Sequence, residues 1–154
     1  MSRWSFVLLL PLAASLAACG RKPFDATPEG VTREFFERME RVHGDPKDAR
    51  AAFDLLSRSA QTNLSDRARR ASAATGKRMG PEQMIAPSHY YPRFAPRQWA
   101  TRSAGDRAVV DVIGLDTDSE RAAIPCVLED GRWRIDLGLP ALPPIERRPG
   151  SEAR

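Results

Sequence analysis

Apolar residues follow three rhythms along this chain. From Phe6 to Ala18 they run almost without interruption, broken once by Pro11 and stopped by Cys19-Gly20-Arg21-Lys22-Pro23. From Val31 the rhythm is helical: Val31, Phe35, Met39 and Val42 lie on one face and Phe36 widens the stripe. Thr27-Pro28-Glu29 just before it reads as a helix start, with Thr27 as N-cap, Pro28 at the first helical position and Glu29 near the positive helix end. The outer face pairs Glu34 with Arg38 and Glu37 with Arg41 at i,i+4, and Gly44 ends the helix. Asp45-Pro46 starts a second, short helix carrying Ala49, Ala52, Phe53 and Leu56, and Ser57 or Ser59 caps a third with Ala60, Leu64, Ala68 and Ala71 on its inner side. Gly76 and Gly80-Pro81 interrupt, a helical turn is expected over Pro81 to Ile85, and Pro87, Pro92 and Pro96 impose an irregular crossover.

After Pro96 the period becomes two. Gln98 to Ala104, Arg107 to Leu115, Arg121 to Glu129 and Arg132 to Leu137 read as strands. Asp130-Gly131 between the last two is a hairpin signal, since a type I′ turn needs positive φ at both central positions. Trp133, Ile135 and Leu137 point one way, matching Ile124, Cys126 and Leu128 across the hairpin. Helices first and an antiparallel meander second give an α+β domain, with the helices on one concave face of about four strands. From Leu139 the prolines and arginines predict a disordered tail, so the chain divides into residues 1–18, 19–26, 27–138 and 139–154: leader, tether, domain and tail.

The leader is too short to span a bilayer, which takes about 20 apolar residues. Its basic start at Arg3, apolar centre and small-residue end have the layout of a secretory signal. Leu16-Ala17-Ala18-Cys19 resembles the processing site of bacterial lipoproteins. That resemblance implies cleavage between Ala18 and Cys19 by signal peptidase II and a diacylglycerol on the Cys19 thiol. A third acyl chain, such as palmitate, on the new N-terminus completes a membrane anchor. Gly20 stands where, under the enterobacterial sorting rule, an aspartate would retain the protein in the inner membrane, so the resemblance implies the outer membrane, facing the periplasm.

With Cys19 blocked, Cys126 has no disulfide partner, and its apolar surroundings predict a small buried hydrophobe. Net charge is +4, and the basic residues Arg67, Arg69, Arg70, Lys77 and Arg78 read as a solvated helix face, with anionic lipid head groups as the alternative. The envelope location leaves no role for nucleic acid. No metal or cofactor is expected: Asp116, Asp118 and Glu120 lack the glycine and terminal glutamate of a calcium loop, and His43, before Gly44, has no ligand partner at zinc spacing.

The paired helices followed by Asp130-Gly131-Arg132-Trp133-Arg134-Ile135-Asp136-Leu137 resemble the nuclear-transport-factor-2-like (cystatin-like α+β) superfamily over about Thr27 to Leu137. More narrowly, the chain resembles lipoproteins of this fold from Gram-negative bacteria for which no activity is established. The resemblance implies a cone in which a curved sheet wraps the first helix and leaves a pocket at its wide end. Some members are isomerases, dehydratases or cyclases, while others bind small molecules or proteins. The isomerase residues have no counterparts here, because Tyr90 and Tyr91 lie in the crossover. The best local chemistry is His89 with Tyr90 and Tyr91, with Asp111 orienting the imidazole in a dehydratase-like scheme. Their alternative role is to cover the core edge together with Phe94. Three functions follow, in this order: non-catalytic binding of a small apolar ligand or an envelope protein; a dehydratase or cyclase using His89 and an acid; and an envelope assembly subunit.

Overall fold

The computed structural model describes residues 22–85, 90–116 and 119–144. Ala18, Cys19, His89, Asp118 and the tail beyond Pro144 lie outside the described residues. Three helices, α1 (Pro28–Arg41), α2 (Pro46–Asp54) and α3 (Arg58–Thr75), precede four strands, β1 (Pro96–Ala104), β2 (Arg107–Gly114), β3 (Arg121–Glu129) and β4 (Arg132–Ile135). The sheet is an open antiparallel meander in the order β1-β2-β3-β4.

Each helix begins where the side-chain chemistry asks it to. Thr27 Oγ1 accepts from the Gly30 N–H at 3.0 Å, the Asp45 carboxylate from Lys47 N–H at 2.8 Å, and Ser57 Oγ from Ala60 N–H at 3.2 Å. Ser57, not Ser59, is thus the cap of α3, and Gly76 closes that helix at φ 69°. The Asp130-Gly131 turn has φ of 50° and 74°, as the type I′ geometry requires. Glu34 pairs with Arg38, but Arg41 turns from Glu37 to Asp48 at 3.3 Å, where Arg38 also binds at 2.9 Å. The two arginines thereby fasten α1 to α2.

α1 lies across all four strands. Its Val31, Phe35, Phe36 and Met39 bury against Ala108, Val110 and Val112 of β2, Cys126 of β3 and Ile135 of β4. One face of the sheet is therefore the floor of the core. The other carries Arg102, Val109, Asp111, Pro125 and Arg134, as the alternating burial of β2 and the register dictate.

Three features depart from the sequence expectation, and each comes with a long-range contact. The end of the expected tether is folded: Phe24–Ala26 forms a 3₁₀ turn, Asp25 is buried beside Arg132, and Phe24 packs so near Gly30 that a Cβ there would strike its carbonyl. The segment Leu55–Ser57 clips onto the free edge of β4, with Ser57 N–H donating to Ile135 O at 2.8 Å and Ile135 N–H to Leu55 O at 2.9 Å. That covers an edge otherwise open to strand pairing. The helical turn expected over Pro81 to Ile85 is present, as a 3₁₀ turn, Pro81–Met84, packed against α3.

The beginning of the expected disordered tail, residues 139–144, is extended but placed. Leu139 packs on the core, Asn63 Nδ2 donates to Pro140 O at 2.9 Å, and Arg70 donates to Pro143 O at 2.6 Å. Arg67, read from sequence as part of a solvated basic face, donates to Asn63 at 2.7 Å and to Pro140 O at 3.3 Å.

Candidate functional site

The sequence alternation carries β4 through Leu137, yet the strand stops at Ile135. The cause lies across the ladder. Asp136 N–H still donates to Pro125 O at 2.8 Å, but a proline has no N–H to return the bond, so the exchange of hydrogen bonds fails at that rung. On this side, among the described residues, β3 therefore has a strand partner only over Cys126–Glu129, while its other side stays paired with β2. Leu137 and Gly138, at φ 58°, turn away. The incoming crossover passes on the other side, and a cleft of about 290 Å³ remains between them.

Phe35 and Ile135, both fully buried, line its base. Ala122 and Ile124 line it from the inner side of the β3 edge, Ala123 and Pro125 from the outer side, and Tyr90, Tyr91, Pro92 and Leu137 complete the wall. The surface is aliphatic and aromatic except at Asp136, the one ionic side chain among its described lining residues. That carboxylate has loose partners: Ser57 Oγ at 3.4 Å, Gly138 N–H at 3.5 Å and Arg107 at 3.8 Å. The Tyr91 hydroxyl donates to the Glu40 carboxylate at 2.7 Å, its ring meeting Phe36 edge-on at 5.3 Å. Burial, and then the hydrogen bond to Glu40, push the Tyr91 phenol up to about 12. It stays protonated throughout the neutral range.

Of the residues proposed for a dehydratase-like scheme, Tyr90 lines the cleft and His89 lies outside the described residues. Asp111 must be reassigned. It projects from the sheet face opposite the helices and forms a two-pronged ion pair with Arg102, at 2.7 and 3.0 Å. That guanidinium holds the Asp111 carboxyl below the usual carboxylate range. Period-two alternation puts every second residue of β2 on each face, and the core face belongs to Ala108, Val110 and Val112. An acid at position 111 therefore cannot orient a group inside the domain.

The remaining candidates do not converge. His43 is exposed beyond the end of α1, and Asp116 uses its backbone N–H to bind Glu120 at 3.3 Å. Among the described residues no three His, Cys, Asp or Glu side chains gather as a metal site requires, and no helix is long and apolar enough to cross a membrane.

Cys126 is 2% exposed, with Sγ 3.6 Å from Thr32 Oγ1. Burial pushes its thiol up; the Thr32 contact opposes the shift and the Asp136 charge adds to it. A thiol kept neutral and covered is a poor nucleophile. In the native protein Cys126 is expected to give no reaction with Ellman's reagent, and to react within minutes once guanidinium unfolds the chain; rapid native labelling would contradict this placement.

No protein-family model, curated protein or solved structure matches this chain. The site is thus read from its own geometry. Sequence analysis missed the importance of Pro125 and Asp136. The signal was present in Ile124-Pro125-Cys126, since a proline inside a strand with partners on both sides must interrupt one ladder.

Proposed function

We propose that this protein is a lipid-anchored envelope protein that binds a small, largely apolar ligand without transforming it. On this reading Cys19 carries the acyl chains, the folded domain hangs by a short tether from the outer membrane, and the periplasm supplies the ligand. The domain is read as a nuclear-transport-factor-2-like cone; the element order and the placement of α1 across the sheet support this. The observation that carries the function is the cleft beside the part of the β3 edge that β4 does not reach, walled mainly by aliphatic and aromatic side chains with one carboxylate and close to the lower end of the about 300–1,000 Å³ range of small-molecule pockets.

Native mass spectrometry of the full protein, extracted in a mild non-ionic detergent, tests the reading. The wild type is expected to retain a small-molecule adduct that Ile124→Trp loses, because an indole at position 124 fills the cleft. Equal adducts in both proteins, or none in either, would refute it.

A further inference from the structure

We propose that the occupant of the cleft is an organic cation: an ammonium group on an apolar body, its charge held by Asp136 and its body set against Phe35, Tyr91 and Ile124. This deepens the binding reading above and rests on it.

The inference starts from how loosely Asp136 is bound. Some ion-paired carboxylates of this domain have short partners, as Asp111 with Arg102 at 2.7 Å, Glu34 with Arg38 at 2.7 Å and Asp48 with Arg38 at 2.9 Å, while Asp25 and Glu82 meet arginines only at 3.8 and 4.0 Å. Charge-assisted hydrogen bonds of this kind centre on about 2.7–2.9 Å. Among the described residues, every partner of Asp136 lies at 3.4 Å or beyond. A carboxylate accepts about four hydrogen bonds, so its capacity is largely unused. Yet the side chain is only 26% exposed, which limits what water can supply. A partly exposed carboxylate with slack partners at the wall of a largely apolar cleft suits a cation.

Sign and shape both restrict the ligand. Arg107, its ion-pair partner at 3.8 Å, is 71% exposed and approaches from the outer sheet face, so it neutralises Asp136 weakly. An apolar anion, such as a free fatty acid, would bring its own charge toward Asp136 and be repelled. Extended peptides are disfavoured on separate grounds. Pro125 offers no N–H on the β3 edge and its carbonyl is already taken by Asp136 N–H, so a strand could not continue the ladder there.

Three probes of nearly one shape separate the possibilities: 2-phenylethylammonium, 2-phenylethanol and 3-phenylpropanoate, titrated by calorimetry at pH 7 and low salt into the full detergent-solubilised protein. Heat measured with Ile124→Trp is subtracted to remove micelle partitioning. The ammonium is expected to bind about tenfold more tightly than the alcohol, as a partly exposed charge pair allows, and the carboxylate most weakly. Asp136→Asn should erase the preference for the ammonium over the alcohol, and Arg107→Ala should widen it. Equal binding of ammonium and alcohol to the wild type would overturn the proposal, as would an unchanged preference in Arg107→Ala, a variant at an exposed position that does not depend on Asp136→Asn folding. Should the alcohol bind and the ammonium gain nothing, the cleft stands and the cation falls. If none of the three binds above the Ile124→Trp level, the binding reading fails with it.

Discussion

Phe35→Ala is expected to lower stability by about 3–5 kcal/mol, the range for truncating a fully buried phenylalanine. The ring is 0% exposed and sits in the middle of the contact between α1 and the sheet, beside Phe36 at 6.4 Å between ring centroids. It is also part of the base of the cleft, so its removal joins a new void to an existing one and leaves the core little reason to collapse around it. Domains of this size hold roughly 5–15 kcal/mol in total. A loss of this size should lower Tm by at least about 12 °C. Chemical denaturation should show a lower midpoint with an unchanged slope, because the same surface is exposed on unfolding. A fall below about 1 kcal/mol would mean that α1 is not the central helix of this core.

Cys19→Ser should leave the protein without acyl chains and with its leader uncut. One acyl chain gives marginal, reversible binding at about 0.8 kcal/mol per buried methylene, whereas several chains on one residue hold for the life of the protein. The described helices offer no substitute, since none is long and apolar enough to span a bilayer. Serine lacks the thiol that accepts the diacylglycerol, so neither lipidation nor the cleavage that follows it should occur. Fractionation of cells grown with labelled palmitate reads both effects together. Undiminished label on Cys19→Ser would refute the anchor.

What the sequence revealed about the fold was local. Thr27-Pro28 and Asp45-Pro46 mark helix starts because a side-chain oxygen and a fixed φ act within three residues, and Asp130-Gly131 marks a turn because two adjacent residues must take positive φ. Strand boundaries followed from period two, to within two residues at either end. What escaped depends on which surfaces meet. Arg67 and Arg70 look like a solvated basic face in one dimension, but the residues after Leu139 return to α3 and supply carbonyl acceptors. Leu55–Ser57 carries no strand signal, and it covers the edge of β4 only because α2 ends beside it.

The site was legible in pieces. Phe35, Ile124 and Ile135 were visible as core, and Tyr90 and Tyr91 as the crossover aromatics that border it. Asp136, next to the inward Ile135, takes the outward parity of the last strand. Its role at the cleft depends on where β4 stops, and that is decided by a missing N–H on the neighbouring strand. Asp111 was assigned inward by family analogy against the parity of its own strand, and parity prevailed.

The account as a whole depends on where the polypeptide begins in its mature form and what is attached there. Intact mass measurement of the protein purified from native membranes should give the mass of residues 19–154 plus a diacylglycerol and one further acyl chain. A mass matching the uncut chain, or residues 19–154 with a free thiol at Cys19, would contradict it.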